Sequence, residues 1–113
     1  MLQLAIGCAT LFFFYGNVAK AESNATFNAA NTFQSTCAMC HGKDGGGSEV
    51  GKSLHAPDLR SAKVQSQSNK ALARFISEGK GAMPSFAGQL SPAQILHEVH
   101  YIRSLAKRNA AHQ

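Results

Sequence analysis

Cys37-Ala38-Met39-Cys40-His41 is the stretch on which the reading of this chain turns. Residues three apart on a helical turn share a face, so the two thiols project the same way and the imidazole follows one residue later. This C-x-x-C-H spacing is the attachment signal of a covalently bound c-type haem: both sulfurs reach the vinyl groups along one side of the porphyrin, and His41 is carried beneath the iron. Other readings of two close cysteines exist. An exported pair defaults to a disulfide, a thioredoxin-like C-x-x-C needs a βαβ setting, and a structural zinc needs four ligands, hence a second Cys/His cluster. No strand-like alternation flanks the motif, and His55, His97, His100 and His112 are scattered along the chain. Haem attachment through Cys37 and Cys40 is the reading that the context supports.

Working upstream, residues 26–36 predict a helix with Phe27, Ala30 and Phe33 on one face, leading directly into Cys37. Farther back, Leu2 to Val18 is apolar and gives way to Ala19-Lys20-Ala21, an A-x-A cleavage signature. The expected organisation is therefore a cleavable export signal over 1–21, which takes Cys8 with it, and a single domain over 22–113 in the periplasm or another exported location. A spanning helix needs about 20 apolar residues and this run is shorter, so no membrane span is expected after cleavage; a retained anchor is the alternative. No Lys or Arg precedes the run, where an export signal carries positive charge, which leaves open a start upstream of Met1.

Downstream, Gly42 to Gly51 contains three consecutive glycines, Gly45 to Gly47, and is expected to be loop because glycine is costly in helices. A second helix is predicted over 69–78, with Leu72, Phe75 and Ile76 as its buried stripe and Gly79 as its C-terminal cap. A third starts at Ser91, with Pro92 at its first position, Gln94 completing a capping box and Leu90 set to staple against Ile95. Its apolar face reads Ile95, Leu96, Val99, Ile102 and Leu105, and residues 109–113 are expected to fray. No segment shows a period of two, so the fold class is all-α.

The totals agree with a small cofactor-bearing domain. A chain of 113 residues holds one domain, and one this small leans on a staple, metal or cofactor for stability. Lys and Arg number 11 against 6 Asp and Glu; Lys20 is the one charged residue in 1–21, so the remainder is formally +4. That excess is not clustered as a nucleic-acid face would be, and no nucleic acid is expected as a partner.

The sequence resembles the class I, mitochondrial-type monohaem cytochrome c family over roughly residues 26–106. Three segments carry the likeness in the family's order: CAMCHGKDG at Cys37 to Gly45, GKGAMPSF at Gly79 to Phe86, and the helix ending Tyr101-Ile102-Arg103-Ser104-Leu105. The resemblance implies a small cytochrome c fold, with three main helices and loops wrapped around one covalent haem c. It implies that the first and last helices cross near right angles with Phe33 and Tyr101 at the contact, and that Met83 is the second axial ligand of the iron, opposite His41. The setting of Met83 agrees: Gly79 and Gly81 let a loop approach the haem, Pro84 holds the preceding residue extended, and a thioether suits haem iron. His55 is the rival ligand, whereas Met39, inside the attachment turn, is poorly placed to reach around the porphyrin. Pro57 stands where family members supply a carbonyl that orients the proximal imidazole, and Leu59 and Phe86 read as pocket walls.

Iron held from both sides has no open position, which implies a soluble one-electron carrier of a respiratory chain rather than an enzyme. The alternatives are an electron-entry subunit of a larger dehydrogenase or oxidase and, further off, a small haem peroxidase or gas-binding protein. A monomer is expected. The partners are redox proteins, with Lys43 and Lys80 flanking the haem edge to favour acidic docking faces; the alternative is that both are simply solvated lysines.

Overall fold

The computed structural model describes residues 27–112, and the apolar segment 1–21 with its cleavage signature lies outside the described residues. In chain order the helical elements are α1 (Ala29–Thr32), a π-helical turn (Phe33–Cys37), α2 (Ala38–His41), α3 (Glu49–Ser53), α4 (Ala62–Gln65), α5 (Asn69–Glu78) and α6 (Pro92–Ala111). Among the described residues there is no strand; the one β-type pairing is an isolated bridge between Lys80 and Met83. The chain is all-α, as its periodicity predicts.

The first helix begins where the Asn28 side chain accepts a hydrogen bond from the Asn31 amide at 3.0 Å, an N-cap that satisfies an otherwise orphaned donor. It does not stop at residue 36. With no Gly or Pro between Asn28 and Gly42, α1, the π turn and α2 run on without a break, so the attachment motif sits inside the helix instead of after it. A second departure from the sequence expectation follows: residues 49–51 are not loop but the start of α3, capped by Ser48.

The predicted helix at 69–78 is α5, and Gly79 does close it. The capping box at Ser91 and Gln94 is formed in both directions, with Ser91 N–H donating to Gln94 Oε1 at 2.8 Å and Gln94 N–H to Ser91 Oγ at 3.2 Å. α6 then continues to Ala111, three residues into the segment expected to fray; near that end the Arg108 guanidinium lies over the Tyr101 ring and donates to Ser104 Oγ.

α6 is the spine. It packs against α1 on one side and α5 on another, burying Ile95, Val99, Ile102 and Leu105 with Phe33, Leu72 and Ile76. Phe33 and Tyr101 meet with ring centroids 5.2 Å apart, the contact that the family likeness implied. Full burial of a Phe or Val side chain stabilises by about 1.5–3 kcal/mol, and Phe33 and Val99 are both inaccessible. Leu96 departs from the predicted face: it is 41% exposed, and the position on the buried arc belongs to Glu98. Arg103 binds α6 to the turn before α5, donating to the carbonyls of Gln65 and Gln67 and to Asn69 Oδ1.

Candidate functional site

The π turn sets the attachment motif. The Ala38 amide donates to the Phe33 carbonyl, one residue farther than an α-helix allows, and such insertions recur at functional sites because they re-aim the side chains that follow. Here the inserted residue separates Phe33, locked in the core, from Cys37 and Cys40. Both cysteines are free thiols and half-buried, so the disulfide default does not apply. Burial pushes the Cys37 thiol up to about 11, and the Glu98 carboxylate adds to the effect. Among the described residues no three His, Cys, Asp or Glu side chains converge as a metal cluster.

The chain then doubles back over this turn. Gly47 N–H donates to the His41 carbonyl at 2.7 Å and Ser48 N–H to the Cys40 carbonyl at 3.0 Å, while Ser48 Oγ donates to the Met39 carbonyl at 2.5 Å. Three successive carbonyls at the helix end, which an isolated helix leaves unpaired, are thereby taken. Ser48 Oγ also accepts from Gly51 N–H at 3.0 Å, so one serine caps α3 and straps the motif. Gly51 lies against Cys40 so closely that a Cβ there would stand 1.7 Å from the Cys40 carbonyl oxygen. Neither Ser48 nor Gly51 was marked by the sequence reading; a glycine beside an N-capping serine was the available signal.

His41 is half-buried, and its ring Nδ1 is enclosed without a hydrogen-bond partner of ordinary geometry. Burial lowers its pKa below the usual imidazole value, and the Pro57 backbone carbonyl, the group that the sequence singled out, pulls the other way. Pro57 is fixed by its neighbours. Ala56 N–H donates to the Gly51 carbonyl at 2.8 Å and Leu59 N–H to the Gly45 carbonyl at 2.9 Å, and Arg60 holds Asp58 through two parallel bonds of 3.0 Å while reaching Asp44 at 2.7 Å. The bidentate Arg60 keeps the Asp58 carboxyl below its usual range. Leu59 is buried beside this clamp.

Met83 is delivered by a different element. α5 ends at Gly79, with φ of 75° and ψ of 172°, a backbone region essentially reserved for glycine. Lys80 and Met83 then exchange both backbone hydrogen bonds, each 3.0 Å. Beyond them, Ser85 Oγ donates to the Ser77 carbonyl at 2.6 Å and Phe86 N–H to the Ile76 carbonyl at 3.1 Å, so the loop is fastened back along α5 at both ends. Cys37 and Met83, far apart in sequence, border the same core, and Phe86 is buried within it. His55, His97, His100 and His112 are exposed and Met39 is 71% exposed; Lys43 is exposed, and Lys80 rests its ammonium 5.3 Å from the Phe75 ring centroid.

Glu98 was missed by the sequence reading. It is 2% exposed, both carboxylate oxygens lack a partner, and burial pushes its pKa up to about 7. Its spacing was the signal, since it lies three residues after Ile95 and four before Ile102 on the buried arc.

Known proteins resemble this chain along most of its length. The family model described as cytochrome c oxidase, cbb3-type, subunit III matches residues 24–102. Cytochrome c6 of Picosynechococcus sp. is 32% identical, with 96% of each chain covered; cytochrome c6 of Anabaena variabilis is 35% identical over 71% of this chain and 91% of its own. Among solved structures, the KustC0563 c-type cytochrome superposes with a TM-score of 0.65 at 26% identity, covering 69% of this chain and 96% of that one.

Proposed function

The chain belongs to the monohaem class I c-type cytochromes, and we propose that Cys37 and Cys40 carry the haem through thioether bonds while His41 and Met83 are its axial iron ligands. Bound haem c supplies a one-electron ferric/ferrous couple. The protein is an electron carrier and not a catalyst in its own right. The observation that carries the reading is the strapped C-x-x-C-H turn: two free thiols on one helix end, with an imidazole beside them.

The donor set fits the group. Two free thiols are available for thioethers, and His41 has an enclosed Nδ1 close to the Pro57 carbonyl. Pointing Nδ1–H at that carbonyl fixes the tautomer and leaves Nε2 as the ligating atom. The Met83 thioether is soft and favours the ferrous state, raising the potential above that of a bis-histidine site. Phe33, Leu59 and Phe86 supply apolar, water-poor surroundings. The paired backbone bonds of Lys80 and Met83 hold the ligand loop in one shape, so little has to move on electron arrival.

Among the described residues no helix is long and apolar enough to cross a membrane. We place the mature protein, after loss of 1–21, as a soluble monomer in the periplasm or an equivalent exported compartment, exchanging electrons with redox proteins whose docking faces are acidic and meet Lys43 and Lys80. The description of the matching family favours a second reading, a haem subunit of a larger oxidase; stable co-purification with a membrane complex would separate it from a diffusing carrier. Mass spectrometry of protein exported from cells able to mature c-type haem tests the attachment. The expected result is a mass greater than the polypeptide by one haem, and a loss of that increment when Cys37 and Cys40 are both changed to Ser; an unmodified mass in the native chain overturns it.

A further inference from the structure

We propose that Glu98 is a redox-linked proton site: its buried, unpartnered carboxyl beside Cys37 takes up a proton when the haem held there gains an electron and releases it when the electron leaves. The proposal rests on the haem reading given above.

An ionisable side chain is almost never fully buried without a partner, and one that is calls for a specific explanation. Nothing that packs against Glu98 compensates it. α1 and the π turn carry no ionisable side chain except Cys37, which a thioether makes permanently neutral. α5 brings Lys70, Arg74 and Glu78, all at exposed positions, with Arg74 and Glu78 paired at 3.7 Å. On α6 itself His97 and His100 are exposed, and Arg103 is engaged with Gln65, Gln67 and Asn69. A haem attached at Cys37 would therefore bring a charge that changes into the neighbourhood of this carboxyl, whose influence already reaches the Cys37 thiol.

The balance is one electron and one proton. Ferric haem, an electron from the redox partner, the Glu98 carboxylate and a solvent proton become ferrous haem and the neutral carboxylic acid. The additional positive charge of the ferric centre favours the carboxylate, so proton affinity is lower in the oxidised protein and higher in the reduced one. Burial already holds this carboxyl near neutrality, which brings the coupled range within that of an exported compartment. The carrier is then a stronger oxidant on the acid side of neutrality than on the alkaline side.

The test measures the midpoint potential of the haem-loaded full chain by spectroelectrochemistry between pH 5 and 9, for the native protein, Glu98→Gln and Glu98→Leu. The native potential should step downward through the neutral range, by about 59 mV for each tenfold difference in proton affinity between the two states. Both variants should stay at the native acid plateau without the step. Redox-difference infrared spectra of the native protein at pH 7 should show a carboxylic C=O band gained on reduction, shifted in deuterated water and absent from Glu98→Gln. A step that survives in both variants assigns the proton to another group, such as a haem propionate or a histidine, and overturns the proposal, as does a flat native profile. A native chain that holds no haem removes the parent reading, and this proposal with it.

Discussion

Replacing Gly79 by alanine should strain the loop that presents Met83 without touching the methionine. Gly79 sits at φ 75° and ψ 172°, where a side chain costs about 1–3 kcal/mol. The new Cβ would also stand 2.5 Å from the Met83 carbonyl oxygen and 2.7 Å from the Pro84 carbonyl carbon. Both neighbours are backbone, so relief requires the loop itself to move, loosening at least one of the two Lys80–Met83 hydrogen bonds, each a net contribution of about 0.5–1.5 kcal/mol. The combined cost is roughly 2–4 kcal/mol. Because that strain exists only while the loop is closed, an added ligand that displaces Met83 should gain in affinity roughly 30-fold or more, at 1.4 kcal/mol per factor of ten. The assay is imidazole titration of the ferric protein, with denaturant unfolding in parallel. Gly81→Ala is the control: its φ is also positive, at 57°, but its Cβ meets nothing within 4 Å, so its effect should be no more than about 1–2 kcal/mol. Equal imidazole affinity in Gly79→Ala and the native protein, with unfolding free energy preserved to within about 0.5 kcal/mol, would refute the reasoning that Gly79 fixes the loop proposed to present Met83 to the iron.

Gly51→Ala should push α3 off the attachment turn, since the Cβ would lie 1.7 Å from the Cys40 carbonyl; the readout is a fall in the yield of haem-bearing protein relative to total exported chain, and an undiminished yield would contradict it. Glu98 should make stability depend on pH: its folded value of about 7 lies above the ordinary 4.5, so the native state binds more protons than the unfolded one between those values. The contribution of Glu98 is then fully present below about 4.5, declines as pH rises toward 7 and levels off beyond, a total of about 3 kcal/mol; urea midpoints for Glu98→Gln should lack that decline. Phe33→Ala should cost about 3–5 kcal/mol, because Phe33 is 1% exposed and packed at a tilt against the Tyr101 ring; denaturant unfolding of the purified variant checks this.

What was legible in the sequence is what local chemistry decides. Cys37, Cys40 and His41 announce themselves by spacing, and Ser91 with Gln94 by the reciprocal hydrogen bonds of a capping box. The end of α5 was readable because Gly79 suits a backbone that other residues avoid. What escaped the reading depends on contacts between segments. Gly51 looked like loop glycine because nothing in its own neighbourhood reveals that the Cys40 carbonyl fills the space where its side chain would be. The helix through residue 41 was cut short because a π turn leaves no mark in the apolar period. Glu98 shows a different failure: the apolar face of α6 is read from its apolar residues alone, which takes in Leu96 and passes over Glu98, whereas the structure exposes Leu96 and encloses the carboxylate.

The central claim is that one iron is gripped by His41 on one side and Met83 on the other, inside a haem fixed at Cys37 and Cys40. The visible and near-infrared absorption spectrum of the ferric protein tests it most directly, recorded for the native chain and for Met83→Ala. A low-spin spectrum carrying a methionine-to-iron charge-transfer band, lost in Met83→Ala while the haem stays covalently attached, is the result expected. A band that persists in Met83→Ala, or a native protein without it, would contradict the assignment.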